Sequence, residues 1–503
     1  MTTEAHLDTL EAKGLIRLAA SRPELEYLFR HWLVQDAAYG SLLKQERREL
    51  HRVVGEALET LYPERAGEFA GILAIHFSEA GDTDKAVGYL IAAGQFALDR
   101  NAIAEAFSSF DRAATMLPAA TDREDDALLR RRVEIALGRG RAGWTFRPIE
   151  DVIGDLDAIL PAAERLGDLE LLAPIHLAVA MSRMQHGERA SDPDVRHSLD
   201  RIAEIGEALH DPSIRALQLA VIGLTQVFTG PIREGVAALD EAVPLLERRH
   251  DLIGAAFARG ALAIGYATLG EFGKADDAAR YATELAADGD VIAQLDAQIA
   301  ESMVRSARGQ LDEAGPIAQA CVMRAEQTGA TACVIASSWV LGDIYQRQGR
   351  FQEARETLQR GAELSLVVDR MMWRPTLQAW LGTTATSLGD FAAAEGSWEE
   401  ALATVRSVGN RFGEAGILWK RAEAFAQRGD MAALADFGAS AALLEDLGAR
   451  PHLARLLRGW GETLRAAGRA AEGDEMLRRA LSLLDEMGIT GEAASVRAAL
   501  TET

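Results

Sequence analysis

One glycine-rich stretch has the spacing of a nucleotide-binding motif. The pattern Gly-x-Gly-x-x-Gly, whose glycines let the backbone approach a pyrophosphate, occurs at Gly138-Arg139-Gly140-Arg141-Ala142-Gly143. Dinucleotide binding requires this stretch to follow a strand and open a helix, whereas here it follows a helical pattern. We therefore predict a flexible turn over 138–148 that ends a helix, and no dinucleotide cofactor.

Histidines are the other residues whose type suits chemistry, as metal ligands. His186, His197 and His210 lack the His-x3-His or Glu-x2-His spacing that places two ligands on one helical face. The sequence also contains no Gly-x-Ser-x-Gly elbow and no phosphate loop of the form Gly-x4-Gly-Lys-[Ser/Thr]. We expect a protein that is not an enzyme, with no catalytic residues, no metal site and no cofactor.

Composition limits the partners and the compartment. The net charge over 503 residues is −23, and a surface this acidic repels the negatively charged phosphate backbone of nucleic acids. Nucleic acid is therefore not the expected ligand. Cys321 and Cys333, the two cysteines, are predicted to pack as small apolar side chains, which indicates a reducing compartment. No run of 18 apolar residues is present, so we expect no membrane span and a cytoplasmic location.

The elements that would position any site are predicted from a repeat. Seven glycines recur at successive spacings of 40, 39, 40, 40, 40 and 39 residues, namely Gly230, Gly270, Gly309, Gly349, Gly389, Gly429 and Gly468. The residue five positions later is small in every case but Leu434. Such a period is typical of a solenoid in which each unit is one supersecondary structure.

A second set of residues, which we call the second mark, alternates with these glycines at the positions where one unit ends and the next begins. Its members are Asp168, Asp211, Asp251, Asp290, Gly329, Asp369, Asn410, Gly448 and Gly488. Asp and Asn there are predicted to cap the next helix, and Gly to close the previous one.

One unit shows the repeat type most clearly. Leu341 and Gly342 are followed by Tyr345, Gly349, Ala354 and Leu358, which is the tetratricopeptide layout of small residues where two antiparallel helices approach. The unit length is near that of HEAT and armadillo repeats, but this layout favours the tetratricopeptide type. We predict an all-α, right-handed tetratricopeptide-type α-solenoid of about 40-residue helix pairs.

The repeat register predicts which side chains face a concave groove, because the first helix of each tetratricopeptide unit lines it. Counting back from the glycines places these residues there: Leu177, Met181, Met184, Leu217, Leu224, Phe228, Phe257, Met303, Trp339, Asp343, Arg347, Trp419 and Glu423. A groove with Met, aromatic and charged side chains suits an amphipathic peptide or helix. The alternative is that Met181, Leu224 and Phe228 pack between tightly wound units.

The N-terminal part differs in kind. A helix over 6–13 closed by Gly14, a strand over 24–30 and a helix over 31–43 resemble the back half of a winged-helix domain. We expect that the chain is a fragment or truncated relative of a longer protein. The predicted domains are 1–43, a partial winged-helix segment; 44–122, the first helical repeats; 123–489, the solenoid; and 490–503, a C-terminal capping helix.

A more specific resemblance covers about 90 residues from Phe29 to Ala113. The stretch Phe29-Arg30-His31-Trp32-Leu33-Val34-Gln35-Asp36-Ala37-Ala38-Tyr39, with Tyr62-Pro63-Glu64 and His76-Phe77-Ser78-Glu79-Ala80-Gly81, resembles the junction between ATPase module and repeats in large bacterial signal-transduction ATPases. In that family class III nucleotide cyclase domains often precede the ATPase. The resemblance implies that His31 is a remnant of a nucleotide sensor; the alternative is a helix-start histidine satisfied locally.

Two functional classes follow. The first is a non-enzymatic protein-interaction scaffold, the regulatory or sensor arm of a signalling ATPase or nucleotide cyclase, which binds a protein or peptide segment in the groove and an ATPase or cyclase domain at its N-terminal end. The second is the arm of a small-ligand-responsive transcriptional regulator of the maltose-activator type. Because the sequence contains no phosphate loop, the resemblance does not imply that this chain hydrolyses ATP.

Overall fold

A computed structural model describes residues 3–20, 26–100, 102–119, 124–144, 146–248, 252–287, 291–369, 373–394 and 397–501. Within these ranges the chain is helical throughout apart from one two-stranded sheet, and the helices pair as a tetratricopeptide-type α-solenoid, as predicted. The chain divides into two compact units, Met1–Ala97 with Glu105–Thr121, and Leu98–Ala104 with Asp122–Thr503.

The first unit contains the N-terminal sheet and the helices that follow it. Its elements, the last two of which extend across the division, are α1 (Thr3–Ala12), β1 (Ile16–Ala20), β2 (Glu26–Phe29), α2 (Trp32–Ser41), α3 (Lys44–Leu61), a 3₁₀ turn (Pro63–Arg65), α4 (Ala66–Ala80), α5 (Thr83–Asp99) and α6 (Ile103–Met116). The strands are antiparallel, with Ile16 opposite Phe29. The expected order of helix, strand and helix is present among the described residues, with β1 as an additional strand, while the relation to winged-helix domains remains a prediction.

The second unit is a succession of helices. They are α7 (Asp126–Gly143), α8 (Ile149–Leu166), α9 (Leu169–His186), α10 (Pro193–Ala208), α11 (Pro212–Thr229), α12 (Ile232–Arg248), α13 (Leu252–Leu269), α14 (Phe272–Ala286), α15 (Val291–Ala307), α16 (Leu311–Thr328), α17 (Thr331–Arg347), α18 (Phe351–Val367), α19 (Arg374–Ser387), α20 (Phe391–Ala394), α21 (Ser397–Ser407), α22 (Arg411–Gln427), α23 (Ala433–Leu447), α24 (Arg450–Ala466), α25 (Ala470–Glu486) and α26 (Thr490–Thr501).

The glycine-rich stretch lies inside a helix, so the turn predicted over 138–148 is wrong for its first half. Helix α7 continues to Gly143, and Gly138 and Gly140 are buried within it. A Cβ atom on Gly140 would lie 3.3 Å from Leu156 Cδ2, so this glycine allows α7 and α8 to approach closely. The match to a nucleotide motif is a consequence of helix packing.

The repeating glycines end the first helix of each pair. Six of the seven have positive φ, between 71° and 86°, which is the left-handed conformation that closes a helix at low cost for glycine. Gly230 is the exception, with φ −174°. It precedes Pro231, and the proline ring disfavours helical conformations of the preceding residue.

The second mark acts as predicted at most of its described positions. The side chains of Asp168, Asp211 and Asn410 accept hydrogen bonds from backbone N–H groups at the start of α9, α11 and α22. Asp369 is a correction: it adopts φ +50° after α18 and closes that helix, as Gly329 does for α16. Asp251 and Asp290 lie outside the described residues.

Paired helices cross at glycines, where no side chain separates them from the facing helix. A Cβ on Gly342 would overlap Leu358 of the facing helix, and a Cβ on Gly223 would lie 2.7 Å from the carbonyl oxygen of Gly235. Ala354 and Leu358 have no exposed surface. These crossings are therefore fixed by residues that lie within about one helix length of each other in sequence.

Helices far apart in sequence also meet inside the second unit. The N–H of Ile149 donates to the carbonyl of Val368 at 3.2 Å, and the ring centroids of Phe228 and Trp373 are 5.1 Å apart. Helix α13 contacts α24. The succession of helices thus turns back on itself and encloses an interior.

Two further expectations concern burial. Cys321 and Cys333 are both buried and not bridged, as predicted, and burial raises the pKa of the Cys321 thiol to about 12. Among the described helices, none combines the length and apolar character that a membrane span requires.

Candidate functional site

The interior of the second unit contains a cavity of about 410 Å³. The inward faces of α13, α15, α17, α19, α22 and α24 line it, together with α26. We refer to it as the interior cavity. Its charged and aromatic lining residues are Trp339, Asp343, Arg347, Trp380, Trp419, Lys420, Glu423, His452, Arg455, Arg458, Glu462 and Glu492.

Helical periodicity explains why these side chains converge. Trp339, Asp343 and Arg347 are spaced four residues apart, so they form one stripe along α17. The other face of the same helix carries Leu341 and Gly342 into the crossing with α18. Helix α17 thus has one face that packs against α18 and one face that borders the cavity.

The carboxylate of Asp343 is ionised deep in the wall. Its Oδ1 accepts a hydrogen bond from Trp380 Nε1 at 2.9 Å, and its Oδ2 lies 3.7 Å from Arg347 Nη1. Burial alone raises the pKa of Asp343, but Lys420, Arg347 and the indole N–H together outweigh burial and hold the pKa below its usual value.

Lys420 is a buried cation on the same wall. The residue is 4% exposed and its Nζ donates one hydrogen bond, to Glu423 at 3.2 Å, while Asp343 Oδ1 lies 3.9 Å away. The ammonium also lies 5.1 Å and 5.0 Å from the ring centroids of Trp380 and Trp419. Two aromatic faces and two carboxylates therefore compensate its charge.

A second charged group connects α26 to the wall. Glu492 accepts hydrogen bonds from Arg455 at 2.9 Å and from Arg347 at 3.1 Å. Arg455 also donates to the backbone carbonyl of Ala307 at 2.6 Å. Burial and the nearby Arg455 lower the pKa of Arg347 to about 10, so its guanidinium remains charged at neutral pH.

Three buried polar atoms of the wall have no hydrogen-bond partner among the described residues: Trp339 Nε1, Trp419 Nε1 and His452 Nδ1. Burial and Arg455 lower the pKa of His452 to about 3, so its imidazole is neutral at pH 7. Buried polar groups in native proteins are normally paired, so these three atoms are exceptions within the wall.

An aromatic recess adjoins the cavity. It has a volume of about 50 Å³ and shares Trp339, Trp380, Trp419 and His452 with the cavity. Its remaining apolar wall comes from aromatic and aliphatic residues, among them Phe228, Trp373, Phe412 and Leu444.

On another side the cavity continues into a wider opening of about 580 Å³, which we call the mouth. The mouth and the cavity share Arg347, Lys420, Glu423, Gly459 and Glu462. The recess and the mouth thus each share wall residues with the cavity, the recess being mainly apolar and the mouth the most open of the three.

The structure brings together six of the predicted groove residues at the interior cavity: Met303, Trp339, Asp343, Arg347, Trp419 and Glu423. Phe228 lines the aromatic recess instead. Their role in binding remains a prediction.

The other predicted residues lie elsewhere. Met184 is buried, and Met181 and Leu177 pack against the core formed by α7–α11. Leu217 and Leu224 pack against the core that includes α12 and α13. Phe257 is half-buried and does not line the interior cavity. These positions fit the alternative that the apolar residues of the early units pack between helices.

His31 caps a helix. Its Nδ1 accepts a hydrogen bond from the N–H of Leu33 at 3.2 Å, at the start of α2, and the side chain is exposed. This geometry fits a histidine satisfied locally, and its role as a nucleotide-sensor remnant remains a prediction.

Seven charged or aromatic residues of the wall are not predicted from the sequence: Trp380, Lys420, His452, Arg455, Arg458, Glu462 and Glu492. The repeat register could have found Trp380, which lies between Trp339 and Trp419 at nearly the same spacing. Glu492 has no such signal, because the helix that carries it is predicted only to cover the end of the solenoid.

A separate histidine cluster lies away from the cavity. His186 Nε2 lies 3.5 Å from a carboxylate oxygen of Glu150 and 3.5 Å from one of Asp369. The three residues come from the ends of α8, α9 and α18, which explains why spacing along the chain gave no indication of this cluster.

Comparisons with known proteins address the fold. No family model matches the chain. An uncharacterised protein of Rhizobium meliloti (strain 1021) is 28% identical over 151 residues, which are 29% of this chain and 15% of the relative. The chain thus spans a small part of the length of that curated relative.

Among solved structures, a Rap protein complexed with Competence and Sporulation Factor matches with a TM-score of 0.54 and 13% identity, covering 72% of this chain and 99% of that one. The Cut9–Hcn1 hetero-tetramer of APC/C matches with a TM-score of 0.49 and 14% identity, covering 92% and 91%. A signal transduction ATPase with a tetratricopeptide repeat sensor from Pyrococcus horikoshii has a TM-score of 0.42 and 13% identity, covering 77% and 57%. At these identities the likeness to the Rap protein shows the fold alone, a tetratricopeptide-type α-solenoid.

Proposed function

We propose that this chain is a non-enzymatic regulatory module that captures a short peptide segment in the interior cavity. The observation that carries the proposal is the interior cavity, where four acidic side chains, four basic side chains and three tryptophans line one concave space. Polar groups that converge on such a space are typical of binding sites. The match to a Rap protein complexed with Competence and Sporulation Factor is consistent with ligand capture by this fold.

We further propose, from the resemblance over Phe29–Ala113, that the chain is the sensor arm of a signalling ATPase or nucleotide cyclase. Capture of a segment would then change the packing of the helices around the cavity. This change in packing would be transmitted to a catalytic partner. The isolated chain is expected to show no ATP turnover, because it has no phosphate loop.

A small inducer is the second candidate, since about 410 Å³ is within the range of small-molecule sites. The deciding experiment incubates the protein with pooled synthetic hexapeptides or with fractionated metabolites and identifies the retained species by mass spectrometry. Retention of peptides alone supports our proposal, and retention of a metabolite alone contradicts it. The Trp339→Ala/Trp419→Ala double variant should bind at least several-fold more weakly at unchanged helicity.

A further inference from the structure

The histidine cluster outside the interior cavity brings three metal-ligand side chains together. One ligand atom from each of Glu150, His186 and Asp369 lies within 4.8 Å of the other two. Both carboxylates face the same imidazole nitrogen, since His186 Nε2 is 3.5 Å from an oxygen of Glu150 and 3.5 Å from one of Asp369. The cluster thus offers one nitrogen and two oxygens to a common centre.

Helix ends hold these three side chains in place. Glu150 is in the first turn of α8, His186 is the last residue of α9, and Asp369 follows the end of α18. The N–H of Ile149 donates to the carbonyl oxygen of Val368 at 3.2 Å. These two residues directly precede Glu150 and Asp369 in the chain, so the backbone fixes both carboxylates relative to each other. A site that is ordered in this way needs little rearrangement to bind an ion.

The spacing within the cluster is wider than a hydrogen bond and suits a shared ion. Hydrogen bonds between nitrogen and oxygen are about 2.7–3.2 Å long. Among the described residues, none of the three side chains makes one. Two ligands of a tetrahedral zinc ion with bonds of about 2.0–2.2 Å lie about 3.3–3.6 Å apart. The 3.5 Å between His186 Nε2 and each carboxylate fits that spacing.

Charge and ligand type narrow the class of ion. Within the described ranges, Glu150 and Asp369 form ion pairs with His186 and with no Lys or Arg. Metal-bound imidazole is neutral, so one divalent ion balances the two carboxylates. Magnesium and calcium prefer oxygen ligands alone, whereas zinc accepts imidazole and carboxylate together. The nitrogen ligand therefore favours zinc.

Solvent reaches the cluster. The side chain of Glu150 is 70% exposed, and those of His186 and Asp369 are 30% and 31% exposed. An ion can therefore enter from solution, and water can occupy the coordination positions that the protein leaves open. Three protein ligands with one water is a common arrangement for zinc sites that are not fully enclosed.

We infer that Glu150, His186 and Asp369 together bind one zinc ion, which joins the start of α8 and the end of α9 to the end of α18. These helix ends are distant in sequence, so the ion fastens the place where the succession of helices turns back on itself. This inference differs from the sequence-based expectation of no metal site, which considered ligand spacing on single helices. It does not depend on the capture of a peptide.

The test measures zinc binding by the full chain after metals have been removed with EDTA. Equilibrium dialysis against Zn²⁺ with excess Mg²⁺ present, read by elemental analysis, should show one bound equivalent of zinc. Glu150→Gln, His186→Gln and Asp369→Asn should each weaken this binding at least about tenfold, since even groups that only support a ligand contribute about 10–100-fold. Asparagine tolerates the positive φ of Asp369, so that variant keeps the local backbone.

A histidine in a similar position provides the matched control. His210 is exposed, follows the end of α10 and has positive φ. His210→Asn should leave zinc binding unchanged. Hydrogen exchange tests the joining of the helices: zinc should slow exchange at the start of α8 and at the ends of α9 and α18 in the parent chain, but not in His186→Gln.

Three results would overturn the inference. The first is that the chain retains no zinc, and the second is that all three ligand variants bind zinc as the parent does, because the ion then lies elsewhere. The third is zinc binding through these residues without slower exchange, which would show that the ion does not join the helices. Each of these results leaves the proposed capture of peptides untouched, so the two proposals fail separately.

Discussion

The same helices form the helix crossings and the cavity wall, but the crossings consist of small and apolar residues and the wall of charged and aromatic ones. At a crossing such as Gly342 against Leu358, side-chain volume is minimal and the contact is apolar. At the wall, one stripe further around α17, Asp343 and Arg347 pair with charges from two other helices, α22 and α26. The crossings give the solenoid its regularity, whereas the wall keeps polar groups that packing alone does not require.

The largest expected effect tests whether the wall depends on its charge pairs. Glu492→Gln leaves Arg347 and Arg455 facing each other without their shared carboxylate, and we expect a loss of about 3 kcal/mol in the free energy of unfolding. Glu475→Gln is the control, since Glu475 and its partner Arg478 are largely exposed and the change should be within about 0.5 kcal/mol. Urea unfolding measures both, and similar losses would remove the distinction between wall and surface.

The next effect tests the crossings. Gly342→Ala places a methyl group against Leu358 and should cost about 1–3 kcal/mol through overpacking. Since solenoid units interact mainly with their neighbours, hydrogen exchange should increase in α17, α18 and the adjacent pairs. Uniform loss of protection along the second unit would contradict this local picture.

A third effect depends on pH and belongs to the wall. The pKa of His452 is about 3 in the folded chain, against an ordinary value of about 6.5 when unfolded. As pH falls below about 6.5 the unfolded chain takes up a proton that the folded chain does not, so stability decreases down to about pH 3.

His452→Phe removes this proton uptake. Between pH 7 and pH 5 the parent chain should lose about 2 kcal/mol more than the variant. Chemical unfolding at both pH values measures the difference, and parallel pH profiles would show that His452 does not titrate in this way.

The smallest expected effect comes from replacing a single helix glycine, Gly315, by alanine. Gly315 lies in α16, and its nearest neighbour beyond its own helix would be Ile344 Cγ2 at 3.7 Å from an added Cβ, an ordinary contact distance. Gly315→Ala should therefore stabilise the chain by about 0.5–1 kcal/mol, because alanine favours the helix. A destabilisation comparable to that of Gly342→Ala would mean that small residues matter along the whole helix, not at crossings alone.

The sequence predicts the helix crossings well because the residues that form each crossing lie close together in the chain. Gly349, Ala354 and Leu358 lie within ten residues, and the period of the glycines defines the helix pairs. Even the exception at Leu434 is local: the preceding Ala433 is the buried small residue, one position early. The Gly138–Gly143 stretch was misread because a helix interior and a loop use glycine for the same reason, close approach.

The wall is predicted only in part. The repeat register locates Trp339, Asp343 and Trp419, since each is on the inner stripe of a first helix. It does not show that α26 comes to lie against α17, because that depends on the accumulated rotation of several units. Early residues such as Met184 and Leu224 follow the same register but become packed instead.

The bond between Arg347 and Glu492 joins residues 145 positions apart. At about 5–20 residues per second, a ribosome needs on the order of 10 s to synthesise the intervening chain. During that interval the crossings of the earlier pairs can form, but the guanidinium of Arg347 has no carboxylate from α26. The nascent chain thus passes through a stage in which its earlier helix pairs can be folded while Arg347 still lacks the carboxylate that it binds in the complete chain.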